Sequence, residues 1–162
     1  MQCGQAVGRG GVANFDAIEL GKKLAGKRAG VNFGIGNVSE NITAGGSPRD
    51  LETILQLVYL KATAPRRDSA AFNALRAQYV PLLMNRDKDP DQVFQDTVVL
   101  TMQQNHPRAQ PLTAAVLQAS KYDRQYALYQ ERFADLSDFT FVIVGSVNVD
   151  SLKPLVEQWL GA

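Results

Sequence analysis

The sequence predicts an α+β fold, a two-layer module in which a small, mostly antiparallel sheet packs against several helices. Three observations predict it. Arg28 to Ile35 alternates, with Val31, Phe33 and Ile35 on one face, and is followed closely by a second short extended stretch. Several segments between Ser47 and Phe133 repeat their apolar residues every three or four positions. Phe139-Thr140-Phe141-Val142-Ile143-Val144 is apolar on both faces, the pattern of a central strand covered above and below.

Taken in order, the Gly-rich start reads as a loop, a flexible lead-in over residues 1–13 ahead of a single module at 14–162. Gly8-Arg9-Gly10-Gly11 is no phosphate cradle, because no apolar strand precedes it and no Lys-Ser or Lys-Thr follows. Phe15, Ile18, Leu20 and Leu24 give a short helix with Asn14 at its start and Gly26 at its end. Arg28–Ile35 and Ser39–Ala44 form a hairpin, its turn at Gly36-Asn37. Ser47-Pro48-Arg49-Asp50 starts a helix that Leu51, Ile54, Leu55 and Val58 make the most buried of all. Asp68 caps a long helix through Phe72, Leu75 and Tyr79, and Pro81 should kink or divide it near Ala77 to Val80.

Asp89-Pro90-Asp91 restarts a helix that ends near Asn105, and His106-Pro107-Arg108 is the loop beyond. Thr113 to Gln118 is a short helix. Asp123 opens another that carries Tyr126, Tyr129 and Phe133, and Asp150 caps the last. The strand at 139–144 is expected to be the most secure in the sheet.

Composition narrows the chemistry. With 162 residues the chain has the length of one domain, and 17 Lys plus Arg against 16 Asp plus Glu leave a net charge of +1, so there is no field to attract nucleic acid. No apolar run is long enough to span a membrane, and the start lacks the apolar middle of a secretion signal. Cys3 and His106 are single, so no disulfide closes within the chain and no multi-histidine metal site assembles.

His106 has no partner histidine at helical spacing and reads as a capping or surface residue. No serine sits in a G-x-S-x-G elbow, Gly145-Ser146-Val147 coming nearest. Asp87, Asp89 and Asp91 alternate like a calcium loop, but no Gly or closing Glu follows, and helix capping accounts for them. Glu131 with Asp135 is the other carboxylate pair. Arg66-Arg67 and the cluster Lys22, Lys23, Lys27 and Arg28 lack interleaved aromatics and read as a solvated face. Tyr122, Tyr126, Tyr129 and Phe133 share one side of a helix, which reads as core packing with hydroxyls at the rim, a peptide-binding stripe being the alternative.

Four ordered blocks carry a resemblance: SPRDLETILQLVYLKATAPRRD, NRDKDPDQVFQD, NHPRAQPLT and YQERFADLSDFTFVIVGSVNVDSLKPLVEQWLG. Together they resemble the insulinase/pitrilysin-like zinc peptidases, the inverzincins, and specifically the first module of the C-terminal half in bacterial members. The likeness runs from about Phe15 to Gly161.

The resemblance implies a non-catalytic module of a zinc-dependent metalloendopeptidase, one that helps to form a substrate-enclosing chamber and to bind peptide. The zinc and the HxxEH motif belong to the catalytic half of such a protein. This sequence has no HxxEH, so no catalytic and no metal residue is assigned and the chain alone is expected to be inactive. The implied partners are that catalytic half, in the same precursor or an adjacent subunit, and peptide substrates. His106, Arg108, Tyr122 and Tyr126 are the expected peptide or partner contacts, and a periplasmic or envelope setting follows from the bacterial likeness.

The alternative is an inactive structural or assembly module acting in protein–protein interaction. Family modules open with strands that precede the first helix found here, so the sheet is expected to be truncated. Its exposed edge would then invite a homodimer.

Overall fold

A computed structural model describes residues 3–36, 38–86 and 88–161, so the expected roles of Asn37 in the hairpin turn and of Asp87 among the carboxylates lie outside the described residues. The order of elements is α1 (Cys3–Gly8), α2 (Ala17–Lys23), β1 (Ala29–Ile35), β2 (Glu40–Gly46), α3 (Leu51–Thr63), α4 (Ser69–Arg86), α5 (Pro90–Met102), α6 (Ala114–Ala119), α7 (Tyr122–Phe133) and α8 (Val149–Leu160). Single 3-10 turns precede α3 at Pro48–Asp50 and α6 at Pro107–Ala109. The fold is α+β, with an antiparallel sheet of two strands.

β1 and β2 pair from Ala29 opposite Gly46 to Ile35 opposite Glu40. This register puts Val31, Phe33, Ile35 and Ile42 on the face that meets the helices and leaves Asn32, Asn41 and Thr43 exposed, which gives the two layers their polarity. The core forms where α3 and α7 cross beneath that face. The Phe33 ring lies 4.8 Å from that of Phe133 and 5.9 Å from that of Tyr129, and Val58 and Ala62 of α3 complete the cluster. α3 is indeed deeply buried, with Ile54, Leu55, Leu57, Val58 and Ala62 all inside.

Local chemistry fixes most helix starts. Asp68 Oδ1 accepts a hydrogen bond from the Ala71 amide, Asp89 caps α5 through the Asp91 amide, and Thr113 caps α6 through the Val116 amide. Two caps differ from expectation. α2 is capped by Asp16 rather than Asn14, because Glu19 three residues on closes a reciprocal capping box with Asp16. α8 is capped by Asn148 rather than Asp150, the Asn148 side chain accepting from the Asp150 and Ser151 amides. Ser47 makes no side-chain cap, and Asp50 instead receives the Arg28 amide, tying the start of α3 to the base of the hairpin.

Three expectations are corrected. The Gly-rich start is no loop throughout: Cys3–Gly8 is helical, and Ala6 and Val7 sit in the core against β1 and α7. The chain after it is pinned as well, with the Ala13 amide bonded to Ala64 O and the Arg66 amide to Gly11 O. Burial of two small apolar residues outweighs the poor helix propensity of the glycines. Secondly, of the kink or division expected at Pro81 the division does not occur: α4 runs from Ser69 to Arg86 with Pro81 inside it. Thirdly, residues 139–144 belong to no sheet, because nothing among the described residues pairs with their backbone.

Candidate functional site

A cleft of about 810 Å³ separates the outer edge of β2 from residues 138–147. One wall is residues 38–46, whose strand among the described residues pairs with β1 alone and so presents its other row of amides and carbonyls to the gap. The opposite wall is the 139–144 segment. Its exposure alternates, 40% at Phe141, 79% at Val142, 40% at Ile143 and 91% at Val144, which is the period-two signature of extended chain with odd residues turned inward. Among the described residues the amides of 140–146 donate to no carbonyl, while Phe139 and Val147 close local turns onto Leu136 and Gly145. The floor is apolar, supplied by Leu51, Ile54, Leu55 and Val58 of α3 and Leu160 of α8.

Each wall makes a contact with the end of α7. Glu40, the first residue of β2, is held by Arg132 at 3.5 Å, and Phe139 rests on Phe133 with ring centroids 6.0 Å apart. Arg132 and Phe133 are neighbours at the end of α7, so each wall is tied to that helix end. Glu40 and Asp138 are the two charged residues on the lining, and both are acidic.

This geometry suits the binding of extended backbone: two strips of free donors and acceptors over an apolar floor. Ser146 lines the cleft, and His106 lies apart from it on the exposed loop between α5 and α6. No group of three or more His, Cys, Asp or Glu is placed to hold a metal among the described residues.

The residues expected to contact peptide are not brought to the cleft. His106 Nδ1 accepts the Arg108 amide at 3.2 Å, capping the 3-10 turn at Pro107–Ala109. Tyr122 and Tyr126 lie on α7 away from the lining. The buried Tyr122 hydroxyl accepts the Asp68 amide at 3.0 Å, and Tyr126 donates to Pro65 O at 2.7 Å. Burial pushes the Tyr122 hydroxyl above the usual phenol range. The tyrosine stripe is therefore built into packing between α7 and the chain around residues 61–68. The cleft itself was missed because its walls lie about a hundred positions apart. The available signal was the charge-free run 139–144, read as a paired strand rather than as an unpaired one.

No family model matches the chain, and no curated protein matches it significantly. Solved structures do. The chain superposes over 98% of its length on the periplasmic protease PqqL from Escherichia coli, at a TM-score of 0.79 and 20% identity. The fold is shared with PqqL. The ferredoxin protease FusC, solved in complex with Arabidopsis ferredoxin, matches over 99% of this chain at a TM-score of 0.72 and 15% identity. In each case the chain spans 18% of the neighbour's length. The fold is thus that of a part of two proteases, and no helix described is long and apolar enough to cross a membrane.

Proposed function

We propose that this chain is a non-catalytic module of a zinc-dependent metalloendopeptidase, helping to wall a substrate-enclosing chamber and to hold peptide against a catalytic half that carries the zinc. The observation that carries the reading is the cleft: facing rows of unpaired backbone groups over an apolar floor, in a fold shared with parts of two proteases. Main-chain pairing tolerates many sequences, as a general protease requires. The donor set of this chain supports the same division of labour, since one His and one Cys supply too few ligands for a catalytic zinc.

The test is to follow a quenched fluorescent peptide with the purified chain alone, with the zinc-loaded catalytic half of an insulinase-like peptidase, and with the two mixed. The chain alone should leave the peptide intact, and the mixture should turn over faster than the catalytic half. An unaccelerated mixture overturns the reading.

A second reading, an assembly module acting through protein contacts, draws on α5. Val93, Phe94, Val99 and Met102 are all exposed there, more apolar surface than a solvated helix needs. Gene context separates the two, since only the first requires an HxxEH-bearing sequence in the same precursor or an adjacent subunit.

A further inference from the structure

Apart from the peptide-holding role, we infer that the gap between α2 and α4 binds a linear medium-chain fatty acid, its tail between the helices and its carboxylate on Arg9. The gap encloses about 570 Å³ and shares no residue with the cleft beside β2. Ala17, Leu20 and Gly21 line it from α2, and Ala71, Ala74 and Leu75 line it from α4. Each set follows the spacing i, i+3, i+4, so an apolar side of one helix faces an apolar side of the other. The two sides do not close on each other: no residue of α2 is buried, and a Cβ added at Gly21 would meet nothing within 4 Å.

The dimensions and chemistry of the walls select the occupant. From Ala17 to Leu24, and from Ala71 to Gln78, each wall is roughly 10 Å long. A further helix of that length fills roughly 800 Å³ or more with its side chains, which the gap cannot hold. Extended peptide suits it poorly as well. The backbone of both walls is paired within the helices, and the Gly11 carbonyl already accepts the Arg66 amide, so a peptide's own amides would be left unpaired on burial. An alkyl chain carries no such groups. Arg9 and Gln78 are the polar side chains on the lining, and Arg9 has no ion-pair partner among the described residues. A guanidinium holds a carboxylate through two parallel hydrogen bonds, so an anionic head is drawn there and a cationic one is opposed.

The experiment titrates the whole chain with sodium decanoate below its micelle concentration, read by calorimetry and by amide chemical shifts. Decanoate should bind, with shifts confined to residues 8–24 and 71–78. Arg9→Gln should weaken decanoate about tenfold and leave the binding of decanol unchanged. Gly21→Leu places a side chain in the open space and favours the helix, so it should abolish binding of both and raise the melting temperature.

No binding of decanoate, equal affinity for decyltrimethylammonium, or binding that survives Gly21→Leu overturns the assignment. Shifts centred on the β2 cleft or on α5 overturn it too, as does a preference for an acetylated peptide ending in a free leucine carboxylate. None of these outcomes touches the peptide-holding role, which is read separately from cleavage of the quenched peptide.

Discussion

The hydroxyl of Tyr129, on α7, donates to the carbonyl of Lys61, on α3, at 2.9 Å, in a site where Tyr129 is 1% exposed. This bond spans 68 residues of sequence and fixes how the two core helices cross. Tyr129→Phe keeps the ring against Phe33 and Phe133 and leaves the Lys61 carbonyl without its donor. The expected loss is about 1–2 kcal/mol of unfolding free energy in urea, with the fold retained.

The same residue sets an alkaline response. Burial raises the folded-state pKa of Tyr129 well above its unfolded value near 10. Its contribution to stability is therefore complete below pH 10 and is lost as pH climbs from there towards the folded value. Stability measured from pH 9 to 11.5 should fall more steeply for the native chain than for Tyr129→Phe. Equal slopes would show that the phenol ionises in place.

Lys61 acts in the opposite sense. Its ammonium is partly buried, which lowers its pKa from 10.5, so the folded state holds this proton less tightly than the unfolded state does. The resulting penalty is present in full below the folded pKa and disappears as pH rises past 10.5. Lys61→Met should raise the melting temperature at pH 7 and lose that advantage above pH 11.

Phe133 has no exposed surface and touches the Phe33, Tyr129 and Phe139 rings. Phe133→Ala should cost about 3–5 kcal/mol, enough to remove most of the cooperative unfolding signal of a domain this size. A loss under about 1 kcal/mol would mean that the core is organised elsewhere.

Gly46, at the end of β2, is exposed yet intolerant. A Cβ there would collide with the Arg28 carbonyl, which receives the Ser47 amide and closes the hairpin. Gly46→Ala should lower the melting temperature, whereas Gly45→Ala next to it, with open space around its Cβ position, should not.

Much of this architecture could be read from local chemistry. The hairpin, the burial of α3 and the caps at Asp68 and Asp89 each depend on residues within a few positions of one another, which is where sequence patterns speak. The α1 helix was illegible because its six residues have poor propensity and gain their order by contact with β1, α7 and α4. The 139–144 run reads as a covered central strand, but a run of Phe, Val and Ile cannot say whether a partner strand stands beside it. The cleft depends on that missing partner, so it was the least legible feature of all. His106 and Arg108 drew notice as rare or charged loop residues, and the structure shows a 3-10 turn capped by the His106 ring.

The placement of α1 also shapes how the chain is made. Residues 3–8 lean on α7, whose last turn is encoded more than a hundred codons later. At about 5–20 residues per second, the nascent α1 segment waits several seconds or more with Ala6 and Val7 uncovered by α7. The contact of α1 with α7 forms only after residues 122–133 have left the ribosome. Slowed translation before residue 133 should therefore lengthen the interval in which the emerging chain is open to chaperones and proteases.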